Sequence, residues 1–158
     1  MILPRSIERL ITLPPAASKY AREAGNGFLP AWRVSSDRDG RKLGSGAGTI
    51  YALWSAWKEN ASGIEFEDWL NSSQKLIVHG GGESRRLPAC SVLGKPLISL
   101  PPAAGLSFAQ PNSTLLDLQA GVYESLLAQA EWASAMVASG DVLVRFQGAL
   151  SSLPMADG

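Results

Sequence analysis

The stretch "KLIVHGGGESRRLP", residues 75–88, decides the fold. Its first five residues are too few for a helix, and Ile77 and Val78 are β-branched, so Lys75 to His79 predict a buried strand. The strand empties into Gly80, Gly81 and Gly82, with Arg85 and Arg86 close behind. Downstream, "NSTLLDLQAGVYESLLAQA" opens with the capping candidates Asn112, Ser113 and Thr114 and sets Leu115, Leu118, Val122 and Leu126 along one helical face. "WASAMVASGD" then predicts a second strand ending at Gly140 and Asp141. Strand, loop, helix and strand make a βαβ crossover, so the two strands are expected to be parallel and the fold class is α/β, with helices flanking the sheet.

Upstream, Ile7, Leu10 and Ile11 fall at helical spacing before Pro14 and Pro15, which predicts a short amphipathic helix over residues 4–13. Residues 35–49, "SSDRDGRKLGSGAGT", are dense in Ser, Asp and Gly and predict a loop. After it, Ile50, Leu53, Trp54 and Trp57 define one face of a helix, and Phe66, Trp69 and Leu70 a second, shorter one. On this spacing Trp54, Trp57 and Trp69 are expected in the core. Pro96, Pro101, Pro102 and Pro111 mark an extended connector over 97–111. The expected organisation is a helical and loop segment over 1–41, then an α/β domain over 42–158.

Fourteen basic and fourteen acidic side chains cancel in 158 residues, so no overall field draws the chain to nucleic acid or to an anionic membrane, and any anion site must be local. The hydrophobic share of 46% and the charged share of 18% are those of a folded globular protein. One cysteine, Cys90, excludes an internal disulfide and a multi-cysteine metal cage; it fits a small packed residue in a reducing compartment. The opening "MILPRSIERLITLPP" is broken by Arg5, Glu8 and Arg9 and is not a secretory signal, and no apolar run reaches the eighteen or so residues of a membrane span. A cytoplasmic location is the expectation.

In open parallel sheets ligands sit beyond the carboxyl ends of the strands, where both segments of interest fall. Glycines there let backbone N–H groups approach phosphate oxygens, so Gly80, Gly81 and Gly82 are candidates for a phosphate cradle. Arg85 and Arg86 offer forked donors, and Lys95 a mobile charge. Asp141, at the second strand end, has the chemistry of a Mg²⁺ ligand, because Mg²⁺ favours one or two carboxylates with phosphate and water oxygens. Gly44 to Thr49, "GSGAGT", opens a helix whose free N–H groups suit an anion, but it lacks the lysine of a P-loop. His79 has no partnered nucleophile and is expected to anchor the loop rather than act as a base.

Taken together, "GGGESRRLPACSVLGKPL" resembles the opening loop of nucleotidyltransferases that make nucleotide sugars, a pattern close to Gly-x-Gly-Thr-Arg-Leu followed by a lysine. Ser84 stands where the second glycine is usual, Arg85 where the threonine is, and Gly94 where proline precedes the lysine. In that form, "GGxSRRLP" followed by "GK", it is similar to the GDP-fucose pyrophosphorylase family, found alone or fused to L-fucokinase. "KLGSGAGT" (42–49) and "ASGDVLVRF" (138–146) resemble two further motifs of the same family, in the same order.

The resemblance implies an incomplete Rossmann-like nucleotidyltransferase sheet and the reaction of GTP with L-fucose 1-phosphate to give GDP-L-fucose and diphosphate. It implies Arg86 and Lys95 as catalytic residues on the triphosphate. Gly80, Gly81, Gly82, Ser84, Arg85, Gly46 and Thr49 would form the nucleotide pocket, and Asp141 would hold Mg²⁺. Complete members are several times longer, so the chain is expected to be an amino-terminal part, either of the guanylyltransferase or of the bifunctional kinase fusion. Two other readings stay open. A molybdenum-cofactor-type guanylyltransferase has a similar loop, with its lysine nearer the arginine and no counterpart of "GSGAGT". A non-catalytic nucleotide-binding module is the other.

Overall fold

The computed structural model describes residues 5–24, 29–37, 41, 43–60, 63–81, 92–100, 113–142 and 144. Four parallel strands, β1 (Ile7–Thr12), β2 (Arg33–Ser35), β3 (Gln74–His79) and β4 (Ala135–Ser139), lie in the order β2-β1-β3-β4. Helices α1 (Pro15–Glu23) and α4 (Leu115–Gln129) pack on one face; α2 (Gly44–Asn60) and α3 (Phe66–Ser72) pack on the other. The α/β expectation holds, as does the parallel pairing of β3 with β4.

β3 is the centre of this arrangement because both of its faces are covered. Leu76 and Val78 join Ile11, Ala17, Leu116, Tyr123 and Leu127 on the α1/α4 side. Ile77 joins Leu10, Ala56 and Trp69 on the α2/α3 side. A central parallel strand is therefore a nearly continuous apolar run, which is why it was legible in the sequence.

Residues 7–12 form a strand, not the helix expected over 4–13. The spacing of Ile7, Leu10 and Ile11 fits both structures, but hydrogen bonding to β2 on one side and β3 on the other decides for the strand. The charges that disguised it are paired: Arg9 makes a two-pronged contact with Glu124 of α4, at 2.6 and 3.0 Å. Glu8 meets Arg33 at 2.9 Å and Lys75 at 3.7 Å on the opposite face. Strands β1 and β2 thus belong to the same sheet as β3.

Two helical faces are rotated from expectation. In α2 the buried residues are Gly48, Ala52 and Ala56, a small-residue stripe that lets the backbone approach β1 and β3. Ile50 and Trp54 face outward, Leu53 and Trp57 flank the contact, and among the three tryptophans expected in the core only Trp69 is buried. In α4 the buried set is Leu116, Gln119, Tyr123, Leu126 and Leu127, because Gln119 and Tyr123 find backbone partners inside; Val122 is exposed. Thr114 is the N-cap, in a capping box with Asp117. The loop expected over 35–49 is also shorter, since Gly44 to Thr49 already belong to α2. The connector over 97–111 lies mostly outside the described residues; within it Ser99 bridges to Thr114. No helix among the described residues is long and apolar enough to cross a membrane.

Candidate functional site

The strand order reverses between β1 and β3: the chain moves outward from β1 to β2, then returns to the other side of β1. Adjacent crossovers leave the sheet in opposite directions there, and the carboxyl ends at such a reversal are the usual crevice position for a ligand in these sheets. Thr12, Leu13 and Pro14 leave β1 at this position, and His79, Gly80 and Gly81 leave β3 beside them, with Gly80 N donating to the Thr12 carbonyl at 2.8 Å.

A short 3-10 turn, Lys95–Leu97, lies across these ends. Pro96 is fully buried between two glycines. A side-chain carbon on Gly140 would lie 2.1 Å from Pro96 Cγ, and one on Gly80 2.9 Å from the same atom and from the Thr12 carbonyl. Gly94, at φ +87°, passes so close to Gly80 that a side-chain carbon there would come within 2.7 Å of the Gly80 carbonyl oxygen. These glycines exist for close packing, and the packing has a chemical result. Lys95 Nζ is brought to Asp141 Oδ2 at 2.5 Å, although 46 residues separate them.

Asp141 is held from three directions. Ser139 Oγ donates to its Oδ1 at 2.5 Å. The turn that carries it is gripped by α4: Tyr123 Oη lies 3.1 Å from the Ser139 carbonyl and 2.8 Å from that of Val142, and Gln119 Nε2 donates to the Val142 carbonyl at 2.6 Å. The Lys95 hydrogen bond, then that of Ser139, holds the Asp141 carboxyl below its ordinary value, so it is ionised at neutral pH. Burial, and then the Asp141 charge, pushes the Tyr123 hydroxyl upward, which keeps it a neutral donor. Neither Gln119 nor Tyr123 was singled out from sequence; their helical positions, three and seven residues after Leu116, were the available signal.

The structure thus brings Lys95 and Asp141 together, with Gly80 packed against Pro96 beneath them and Gly81 near the Thr12 hydroxyl. The two glycines differ. Gly80 is buried and its N–H already donates to the Thr12 carbonyl at 2.8 Å, so as a phosphate-cradle donor it is corrected to a packing glycine; Gly81 is exposed. Gly46 and Thr49 lie at the start of α2. Gly46 has open space around it. Thr49 is tied to His79, whose ring bridges Thr49 and Thr12, in agreement with the anchoring role expected for it. Gly82, Ser84, Arg85, Arg86 and Cys90 lie outside the described residues.

Curated proteins carry similar sequence over this region. The L-fucokinase/L-fucose-1-P guanylyltransferase of Bacteroides fragilis is 34% identical over 152 residues, which is 96% of this chain and 16% of that protein. Nearly the whole chain is thus similar to part of a fucokinase/fucose-1-phosphate guanylyltransferase, consistent with a fragment of that family. The mouse fucose-1-phosphate guanylyltransferase is 33% identical over 92 residues, 58% of this chain and 14% of its own length. The Arabidopsis thaliana bifunctional fucokinase/GDP-fucose pyrophosphorylase is 28% identical over 134 residues, 75% of this chain and 13% of its own length. The chain therefore spans about a sixth or less of the curated relatives it matches. No family profile and no solved structure matches it.

The family resemblance implies a Mg²⁺ ligand at Asp141. Among the described residues no group of three or more His, Cys, Asp or Glu side chains could hold a metal. Asp141 offers a single ionised carboxylate at the crevice, 39% exposed, with oxygens facing Lys95 and Ser139. One hard carboxylate fits Mg²⁺ where nucleotide phosphates and water complete the coordination, and does not fit an all-protein cage.

Proposed function

We propose that this chain forms the nucleotide-handling part of a fucose-1-phosphate guanylyltransferase, in which GTP and L-fucose 1-phosphate give GDP-L-fucose and diphosphate. The observation that carries the reading is the Lys95–Asp141 pair at the carboxyl ends of β3 and β4, beside the point where the strand order reverses. A cation and an anion in contact at a crevice suit a ligand that brings both charges, and a nucleoside triphosphate with its divalent cation is such a ligand.

In this reading the sugar phosphate oxygen attacks the α-phosphorus and diphosphate leaves. Little covalent chemistry falls to the protein, whose part is to position the reactants and neutralise charge. Lys95 turns from Asp141 to the triphosphate, with Arg86 as its partner and Arg85 assisting. Asp141, released from Lys95, is the residue that would hold Mg²⁺, whose charge would help neutralise the triphosphate and the leaving diphosphate. Gly81, Gly82 and Ser84, with Gly46 and Thr49 across the crevice, seat the nucleotide. Gly80 contributes through packing.

Thermal unfolding with GTP, ATP and Mg²⁺ tests the reading. A ligand at one hundred times its dissociation constant stabilises by about 2.7 kcal/mol, which raises the midpoint of a domain this size by roughly 5–10 °C. The expected result is a shift with GTP·Mg²⁺, none with ATP·Mg²⁺, and loss of the GTP shift in Asp141→Asn. A chain indifferent to GTP·Mg²⁺ refutes the proposal. GTP-dependent formation of GDP-fucose by the chain itself is assayed next, and binding without turnover assigns it a nucleotide-binding role only.

A further inference from the structure

His79 is the only histidine in the chain, and both of its ring nitrogens are engaged. Nε2 lies 2.7 Å from Thr49 Oγ1, and Nδ1 lies 3.0 Å from Thr12 Oγ1. The proton positions follow from the partners. Thr49 Oγ1 donates its single hydrogen to the Ser45 carbonyl at 2.8 Å, so towards His79 it can only accept. Nε2 therefore carries the ring hydrogen, and in the neutral imidazole Nδ1 accepts from the Thr12 hydroxyl. Burial holds the ring pKa below its ordinary value, against the opposing field of Asp37, and so favours the neutral ring.

The chain of bonds Thr12–His79–Thr49–Ser45 spans three elements. Thr12 ends β1, His79 ends β3, and Thr49 and Ser45 lie in the opening turns of α2. Three of the first five residues of α2 are glycine, poor helix formers that do not hold this segment in place by themselves. Gly48 is buried against the ring: a side-chain carbon there would sit 3.5 Å from His79 Cε1 and 3.7 Å from Asp37 Oδ1. Asp37 Oδ2 in turn accepts from Leu43 N at 3.3 Å, just before the helix.

We infer that His79 is a positioning residue of the nucleotide site, fixing the Gly44–Thr49 segment against the carboxyl ends of β1 and β3 so that this glycine-rich segment and the one that follows β3 keep one spacing. The inference rests on the reading of the crevice as a GTP site. His79 moves no proton in the reaction; it acts through Thr12 and Thr49. Its substitution loosens the Gly44–Thr49 segment while the sheet beneath, built on Leu76, Ile77 and Val78, stays intact.

The test compares the unsubstituted chain with His79→Gln, His79→Ala and Thr49→Val. Gln retains one N–H to reach Thr49, Ala retains none, and Val removes the acceptor while leaving the ring, so the series still decides if His79→Ala fails to fold. Calorimetry with GTP·Mg²⁺ is expected to give dissociation constants raised about tenfold for His79→Ala and for Thr49→Val, equivalent to about 1.4 kcal/mol, with His79→Gln between these and the parent. Amide hydrogen exchange at Gly48 to Ala52 is expected to quicken in the same order, with Leu76 to Val78 unchanged. The ring ¹⁵N spectrum, free of overlap because there is one histidine, is expected to report the Nε2–H tautomer. GTP affinities within about twofold of the parent in all three variants overturn the positioning role and leave the GTP reading standing. An Nδ1–H tautomer overturns the bond chain. A parent chain that does not bind GTP·Mg²⁺ overturns the GTP reading and with it the role given to His79.

Discussion

Gly140→Ala is the most incisive perturbation of the arrangement that brings Lys95 to Asp141. The new methyl would sit 2.1 Å from Pro96 Cγ, 3.2 Å from Pro96 Cβ and 2.8 Å from the His79 carbonyl oxygen. None of these neighbours can give way cheaply. Pro96 is a rigid ring, already buried against Gly80 on its other side, and the His79 carbonyl accepts the Gly140 N–H at 2.8 Å. Overpacking of a tight site costs about 1–3 kcal/mol, and a clash with a fixed ring and a backbone atom belongs at the upper end. About 3 kcal/mol lowers the thermal midpoint of a domain this size by roughly 6–12 °C, readable by circular dichroism. A double-mutant cycle identifies the cause. Pro96→Ala removes the clashing carbon, so Gly140→Ala in that background is expected to cost about 1 kcal/mol, a coupling of roughly 2 kcal/mol. A midpoint loss below about 3 °C, or the same loss with and without Pro96, refutes the packing argument.

Three further outcomes follow from the same geometry. Lys95→Met removes a partly exposed ion pair, 36% and 39% exposed at its two ends, worth about 0–1 kcal/mol, so the midpoint is expected to fall by less than about 4 °C; GTP·Mg²⁺ affinity, measured by calorimetry, is expected to fall more than about tenfold. Lys75→Met is expected to be far more damaging, by about 3 kcal/mol in urea denaturation. Lys75 is fully buried and donates to the Trp69 carbonyl at 2.8 Å, the Ser73 carbonyl at 3.0 Å and Ser73 Oγ at 2.7 Å, and these acceptors stay behind without it. A neutral result contradicts that account. The third is a pH dependence. Burial lowers the folded pKa of His79 below the ordinary value near 6.5, so the unfolded chain binds the proton more tightly. The stability this gives is complete above the ordinary value and is lost as pH falls through the folded one. Urea midpoints at pH 7.5 and 5.5 are therefore expected to differ more in the parent than in His79→Gln, and equal differences rule the linkage out.

What was legible in the sequence follows from which interactions are local. β3 and β4 could be read because a run of three or four apolar residues between helix and glycine is too short for a helix, and α4 because Thr114 and Asp117 cap it within one turn. β1 could not, since it is a strand by virtue of two neighbours, and its Glu8 and Arg9 look solvated until Arg33, Lys75 and Glu124 are brought to them from elsewhere in the chain. The helical faces failed for a related reason. Hydrophobic periodicity ranks Trp54 and Ile50 above Ala52 and Ala56, whereas a helix lying close on a sheet turns its smallest residues inward, and Gln119 and Tyr123 become core residues once Val142 and Ser139 accept their hydrogen bonds.

The candidate site divides along the same line. Motif resemblance picked out Lys95 and Asp141 singly, but their contact is a product of Pro96 seated between Gly80 and Gly140, three residues whose spacing in sequence gives no hint of one another. The glycines therefore have a different reason for being glycine than a phosphate cradle supplies: two of them make room for a proline, and the proline carries the lysine to the aspartate. A cation and an anion set in contact at the crevice by buried packing, rather than by the ion pair's own small energy, stay close together when a ligand separates their charges. On the proposed GTP·Mg²⁺ reading, in which the pair separates to meet a triphosphate and its metal, the packing beneath the pair is as consequential as the pair itself.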